Sequence, residues 1–156
     1  MKTTSKSFSQ KRAIVLIAPK FDEEMVVNCL YQMRQRGTAV DLVGTPSNLV
    51  VGSAGLVVQP DYSLAQLHTI ANQRLQLIII PGKATCATNL LSDPRVHQVI
   101  QDNFKNGGFV ATSSPIVPQI LSSIGLIQSD TTPRLLTKSS QNMQDFIQTL
   151  FAHLNS

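Results

Sequence analysis

Two apolar runs constrain what this chain can fold into more than any other feature of the sequence. Ala13–Ala18 reads Ala-Ile-Val-Leu-Ile-Ala, and Leu75–Ile80 is a second run of the same length. Neither run alternates regularly between apolar and polar residues, which is typical of strands buried on both faces of a parallel sheet. Both are far shorter than the roughly 20 residues that a membrane-spanning helix needs. The runs therefore predict a parallel sheet covered by helices.

Helix-length segments separate the predicted strands. The segment from Asp22 to Arg36 carries acids in its first turn, arginines in its last turn and Gly37 as a stop, which suits the helix dipole. Pro94 begins another helix that ends before Gly107. The main strands are predicted at residues 12–18, 39–43, 75–80 and 109–112, with small strands within 44–60 and a last strand at 134–137. Further helices are predicted from Ser63 to Asn72, from Pro115 towards Ile124 and at 142–154. This order predicts an α/β sheet with helices on both faces.

The net charge of +4 comes from the first residues of the chain. Residues 1–12 hold four basic residues and no acid, whereas nine basic and nine acidic residues follow from Ala13 onward. Aromatic residues make up 5% and tryptophan is absent, so neither a basic face nor stacking side chains favour nucleic-acid binding. We expect residues 1–11 to form a flexible basic tail and residues 12–156 a single domain.

The short first apolar run and the cysteine spacing indicate the cellular compartment of the protein and whether it binds a metal. The run before Pro19 is too short for a secretory signal, so we expect a cytoplasmic protein without membrane contact. Cys29 and Cys86 form no CxxC pair and have no metal-ligand spacing with the three histidines, His68, His97 and His153. We therefore expect free thiols, no metal and no cofactor. The histidines are interpreted as surface or helix-packing residues, and Cys29 as part of the core.

Ligands of open α/β sheets bind beyond the carboxyl ends of the strands, which here means Pro19–Glu24, Pro81–Cys86 and Ser113–Pro115. In these segments and around them the chain resembles the ThiJ/PfpI family (Parkinson-disease deglycase-like) of the class I glutamine amidotransferase-like superfamily. The resemblance covers roughly residues 11–137 and a final helix. The stretches that carry it are Arg12–Ala18, Asp22–Met25, Met33-Arg34 with Gly37, Pro60-Asp61 with Ser63-Leu64, Leu77–Gly82, Asn89-Leu90, Gly108–Ser113 and Ile124–Leu126.

The resemblance implies a flavodoxin-like three-layer sandwich, usually a homodimer. It also implies a cysteine nucleophile on a tight turn between a strand and a helix, with a glutamate from the first helix bonded to the thiol. Backbone amides after a Pro-Gly-Gly turn and after the cysteine form an oxyanion hole in the family. Counting back from Ile124-Gly125 places the nucleophile at Ser113, and counting back from Gly37 places the helix acid at Met25, beside Glu24.

This sequence departs from the family pattern at further positions. Lys83 follows Gly82 where the family has a second glycine, and Ser114 stands where the protease-like branch has a histidine. A stretch that usually carries two more strands and another histidine is missing between about Thr132 and Arg134. The candidate oxyanion or pocket residues are therefore Gly82, Lys83 and Ser114.

These departures predict a shortened family member that has lost catalysis. A serine hydroxyl does not ionise near neutral pH and needs a base, which Met25 cannot supply. We expect a binding, regulatory or chaperone-like homodimer with a small-molecule or client-protein ligand, in a family linked to stress response. The alternative is an enzyme, either a hydrolase using Ser113 with Lys83 as base or a glyoxalase- or deglycase-like activity on small carbonyls. Cys86, expected on a loop beside the pocket, is the alternative reactive thiol.

Overall fold

The computed structural model describes residues 12–44, 49–71, 75–128 and 134–154. The predicted basic tail at 1–11, Asn72 and Thr132, where the shortened stretch begins, lie outside these residues. The described strands are β1 (Arg12–Ile17), β2 (Ala39–Gly44), β3 (Val50–Val51), β4 (Val57–Val58), β5 (Tyr62–Ser63), β6 (Leu75–Ile80), β7 (Phe109–Thr112) and β8 (Leu135–Thr137). The described helices are α1 (Glu23–Gln35), α2 (Leu67–Ala71), α3 (Ala84–Leu91), α4 (Pro94–Lys105), α5 (Ile116–Ser123) and α6 (Met143–Leu154), with a 3₁₀ turn at Leu64–Gln66.

Six of the strands form one sheet in the order β5-β2-β1-β6-β7-β8, and every neighbouring pair in it is parallel. The middle strands are the apolar runs of the sequence, and Ala13 to Ala18 are all completely buried. On one face α1 packs against α6, where Arg36 lies 4.0 Å above the Phe151 ring. Helices α2 to α5 contact one another on the other face. The predicted α/β three-layer fold is confirmed.

Strands β3 and β4 pair separately as a short antiparallel hairpin. Val50 is buried in the core, whereas the directly paired Val51 and Val57 are 47% and 51% exposed. The hairpin therefore turns one apolar face inward and a second apolar face outward. Small strands were predicted within this stretch, and the hairpin confirms them.

Two elements differ from the sequence-based expectation. Tyr62–Ser63 forms an edge strand, which the prediction omitted because two residues give no readable period. Residues 84–91, expected as a loop containing Cys86, form helix α3. Its start carries no side-chain cap, so the usual start signal is missing, and burial of Cys86, Ala87, Leu90 and Leu91 stabilises it instead. In the described part of the chain, no helix is both long and apolar enough to cross a membrane.

Candidate functional site

The carboxyl ends of β1, β6, β7 and β8 open into a cleft of about 580 Å³, a volume that suits a small molecule. The segments after these strands and the turn of the β3–β4 hairpin line it. The lining residues are Lys20, Asp22, Glu24, Ser53, Lys83, Ala84, Thr85, Ser113, Lys138 and Met143. The structure thus brings the three segments singled out in the sequence into one site.

The loop after β1 forms a rigid wall of this cleft. Lys20 has a φ of 70°, in the left-handed region that side chains other than glycine rarely adopt. Its amide donates to Val51 O at 2.8 Å, and the Asp22 amide donates to Pro81 O at 3.0 Å. Phe21 between them is completely buried. These anchors on both sides hold Lys20 in its strained conformation at the edge of the cleft.

The first turn of α1 decides which acid reaches the cleft. The Asp22 carboxylate caps the helix by accepting from the Met25 amide at 3.3 Å. Met25 is completely buried, while Glu24 is exposed and lines the cleft. Successive helical residues point about 100° apart, so only one of the two can face the site. Met25, the position that the resemblance gives to the helix acid, thus lies in the core, and the adjacent Glu24 supplies a carboxylate that lines the cleft.

Glu23 has a role that sequence reasoning missed. Its carboxylate accepts from Ser53 Oγ at 2.8 Å, the Ala54 amide at 2.6 Å and the Leu56 amide at 3.2 Å. Desolvation works to raise the pKa of Glu23, but these hydrogen bonds outweigh it and lower the pKa below its usual value. A Cβ on Gly52 would collide with this carboxylate. Glu23 therefore clamps the hairpin turn and sets Ser53 in the cleft wall.

Ser113 lies half-buried in the turn between β7 and α5 and faces the cleft. Among described non-glycine residues only Lys20 has a positive φ, so Ser113 does not sit on a left-handed turn. The Ser114 amide donates to Thr112 Oγ1 at 3.2 Å, and Ser114 Oγ accepts from the Ile116 amide at 3.3 Å. The Thr112 hydroxyl thus accepts from the Ser114 amide, the group that the resemblance assigns to an oxyanion hole.

Lys83 and Gly82 lie in different environments at the start of α3. Lys83 is exposed and lines the cleft, whereas Gly82 is buried and forms an isolated bridge with Phe21. A Cβ on Gly82 would lie 2.5 Å from Cys86 Cβ, so this glycine lets α3 approach the loop closely. Ala84 and Thr85, in the first turn of α3, line the cleft beside Lys83.

Cys86 lies on α3, completely buried, with Sγ 3.6 Å from Pro81 O. Burial raises the pKa of its thiol from 9.0 to about 11, and the nearby Asp22 charge adds to the effect against a backbone hydrogen bond. A thiol in such surroundings is a weak nucleophile. Cys29 is also completely buried, and burial raises its pKa to about 12. Both thiols are free, as predicted.

None of the three histidines lines the cleft. His97 Nε2 lies 2.5 Å from Leu91 O, and His153 packs edge-on against Phe109 with ring centroids 5.0 Å apart. His68 is exposed on α2. Within the described ranges no three His, Cys, Asp or Glu side chains are grouped so that they could hold a metal ion. The site therefore offers a hydroxyl, ammonium groups and carboxylates, a set that binds charged groups.

A known protein family matches most of this chain. The model of the DJ-1/PfpI family matches residues 11–142. The Parkinson disease protein 7 homolog of Danio rerio is 30% identical over 102 residues, which are 65% of this chain and 53% of that protein. The chain thus spans about half the length of this curated relative.

Solved structures show the same fold at lower identity. Oxidized DJ-1 of Toxoplasma gondii is 18% identical with a TM-score of 0.78, covering 92% of this chain and 90% of its own. A mutant DJ-1 superfamily protein from Salmonella typhimurium is 19% identical with a TM-score of 0.76, covering 94% of this chain and 91% of its own. Both share the sandwich, and at such identities the likeness concerns the fold alone.

Proposed function

This chain belongs to the DJ-1/PfpI family, and we propose that it binds a small ligand in its cleft without turning it over. One observation carries this proposal: Ser113, which the resemblance aligns with the family's nucleophile, lines a cleft whose lining includes none of the three histidines to act as its base. An unassisted serine is hardly ever ionised near neutral pH.

Two further features, one in the turn after β7 and one in helix α1, support loss of catalysis. The Ser114 amide, which would complete an oxyanion hole, is used internally by Thr112 Oγ1. Removal of one oxyanion donor lowers turnover by roughly 10²–10³-fold in enzymes that depend on it. Met25 supplies no carboxylate at the helix position, and a general base contributes roughly 10²–10⁴-fold. Together these losses remove most of the acceleration that the family pattern implies.

The test is methylglyoxal consumption by wild-type protein, Ser113→Ala and Cys86→Ala, with glyoxalase and deglycase products followed separately. We expect background rates in all three proteins, because neither side chain supplies an activated nucleophile. Turnover in wild-type protein that Ser113→Ala abolishes would overturn the proposal in favour of a serine enzyme. Turnover that Cys86→Ala abolishes would overturn it in favour of the buried thiol.

A serine hydrolase with a Ser113–Lys83 dyad is the second candidate. Ser113 and Lys83 line the same cleft, and an amine can serve as base for a serine when it is desolvated. Lys83 is exposed to solvent and therefore lacks the desolvation that this role requires, which speaks against this function. Hydrolysis of p-nitrophenyl acetate that falls to background in both Lys83→Met and Ser113→Ala, but not in Lys105→Met, would establish the dyad.

The homodimer expected from the family fits an apolar patch on this chain. The patch consists of Val27 and Tyr31 of α1 with Val51 and Val57 of the hairpin, and these side chains are 47% to 65% exposed. Glu23, Val27 and Tyr31 follow one helix face at four-residue spacing, and Glu23 bonds the hairpin turn, so the two parts adjoin. Adjoining exposed apolar side chains of this size are typical of interfaces. We infer that a second copy covers the patch.

Sedimentation analysis of wild-type protein, Tyr31→Glu with Val57→Glu, and the control Ile124→Glu tests the dimer. Ile124 is an exposed apolar residue at the end of α5, outside the patch. We expect a dimer that only the patch variant dissociates. A monomeric wild-type protein would refute the dimer. If that monomer also suppressed client aggregation through the patch, the chaperone-like role would replace it.

A further inference from the structure

Two lysines flank Ser113 because of the strand order. Strand β7 lies between β6 and β8, so Ser113 after β7 stands between Lys83 after β6 and Lys138 after β8. The Lys138 amide donates to Thr112 O at 2.9 Å, which fixes Lys138 beside the residue that precedes Ser113. All three side chains line the same cleft.

Among the described residues, neither of the lysines beside Ser113 forms an ion pair with an acid. The ion pairs between described residues all use arginine, at Arg12, Arg34 and Arg95. Lys83 is the N-cap of helix α3 and makes no side-chain cap, and the first turn of α3 contains no acid, so its positive end borders the cleft without a capping side chain. The carboxylates of the cleft, Asp22 and Glu24, follow β1, the strand next to β6, and that of Asp22 caps α1.

We propose that the cleft holds the phosphate group of a small molecule above Ser113, between Lys83 and Lys138 at the start of α3. This inference rests on the proposed function, namely that the cleft binds its ligand. Two ammonium groups and a helix N-terminus match a group with a charge near −2. A planar carboxylate is instead matched by the fork of an arginine, and none of the arginines that the structure describes lines the cleft.

The cleft also has room for the rest of such a molecule. Its volume of about 580 Å³ far exceeds what one phosphate fills. At the β1 end, Glu24 and Ser53 offer a hydrogen-bond acceptor and a hydroxyl. The ligand class that fits is therefore a phosphomonoester of a small polar molecule, with hydroxyl or amino groups towards Glu24.

Phosphorus NMR line broadening and calorimetry with inorganic phosphate and glycerol phosphate test this site, with acetate as the carboxylate probe. Wild-type protein is compared with Lys83→Ala, Lys138→Ala, Ser113→Ala and the control Lys105→Ala, an exposed lysine at the end of α4. Each cleft lysine is expected to account for about tenfold in phosphate affinity, and Ser113 for a few-fold, because hydrogen bonds to charged groups are the stronger ones. Thermal melts establish that every variant is folded.

Saturable phosphate binding that weakens in the two cleft lysine variants, but not in Lys105→Ala, supports the site. No saturable binding, equal weakening in the control, or acetate binding as tightly as phosphate would overturn it. The proposed function fails separately: Ser113-dependent turnover of methylglyoxal would end the non-catalytic proposal and leave the phosphate affinities as measured.

Discussion

The turns that follow β6 and β7 place a thiol and a hydroxyl in opposite surroundings. After β6, Gly82 lets α3 close over the loop, and Cys86 is completely buried beneath the cleft. After β7, Ser113 remains half-exposed inside the cleft. The intrinsically more nucleophilic side chain is therefore the one that lies buried, while the accessible side chain lacks a base. Reactivity in this protein is decided by burial and neighbours at least as much as by residue type.

The largest expected effect comes from moving the thiol. In a Cys29→Ala, Cys86→Ala background, Ser113→Cys should react with iodoacetamide near pH 8 about 100-fold faster than Cys86 does in Cys29→Ala. The pKa of about 11 for Cys86 accounts for that factor against an ordinary thiol, and access adds to it. Mass spectrometry of the alkylated protein measures both rates.

A cysteine at the exposed Ser123 of α5 is the matched control for this experiment. Reaction at position 113 that exceeds the control would show that the cleft lysines favour the thiolate. Equal rates for Cys86 and the introduced cysteine would break the contrast between the two turns.

Substitutions in the two turns should also change the free energy of unfolding by different amounts. Gly82→Ala places a methyl group 2.5 Å from Cys86 Cβ and is expected to lower the free energy of unfolding by about 1–3 kcal/mol. Ser113→Ala removes a hydroxyl that faces the cleft and should change it by less than about 0.5 kcal/mol. Urea unfolding compares them, and similar losses in both variants would contradict the description of the β6 turn as the tightly packed one.

Alkaline pH offers a smaller test of the buried thiol. Between pH 9 and 11 the unfolded chain releases the Cys86 proton while the folded chain keeps it, so stability declines as pH rises through the folded pKa. Cys86→Ala should reduce this decline by about 1–2 kcal/mol. The pKa of Cys29 is raised further, so Cys29 should still cause a decline in stability in this variant. Urea midpoints across this range measure the slopes. Identical slopes in wild-type protein and Cys86→Ala would rule the effect out.

The loop after β1 extends the comparison to a third strand end, with the smallest expected effect. Lys20 keeps a φ of 70° because its backbone is anchored on both sides. Lys20→Gly should therefore be more stable than Lys20→Ala by about 1 kcal/mol, since glycine adopts this conformation without a steric penalty. Thermal unfolding of the two variants decides this, and an equal midpoint would show that the strain is relieved elsewhere.

The central sheet was predictable from the sequence because its strands lie between two helix layers. The runs at 12–17, 75–80 and 109–112 carry apolar residues that face both layers. Runs of this kind can be recognised in the sequence as buried strands. Helix α3 was not predicted, because Lys83 is no capping residue and its stability comes from tertiary burial. The strand Tyr62–Ser63 is too short for any period to be recognised.

The cleft was predictable only in part. Strand ends and the resemblance led to Ser113 and Lys83, because both follow strands with clear signals. Lys138 was missed, since its place beside Ser113 depends on β8 pairing with β7 rather than on any local pattern. Ser53 was missed because it reaches the cleft through the bond of its hairpin to Glu23. The positions of Lys138 and Ser53 depend on pairings between residues that are distant in the sequence, and a local sequence pattern does not reveal such pairings.

The assembly of the cleft from Lys20 through Met143 has a consequence for how the protein acquires its ligand during folding. No contiguous peptide carries the site, and strand β8 must dock before Lys138 reaches Ser113. The complete site therefore forms only when these strands and helices pack together. A ligand of the cleft binds the native state alone and raises the unfolding free energy by mass action, about 2.7 kcal/mol at a concentration one hundred times its dissociation constant.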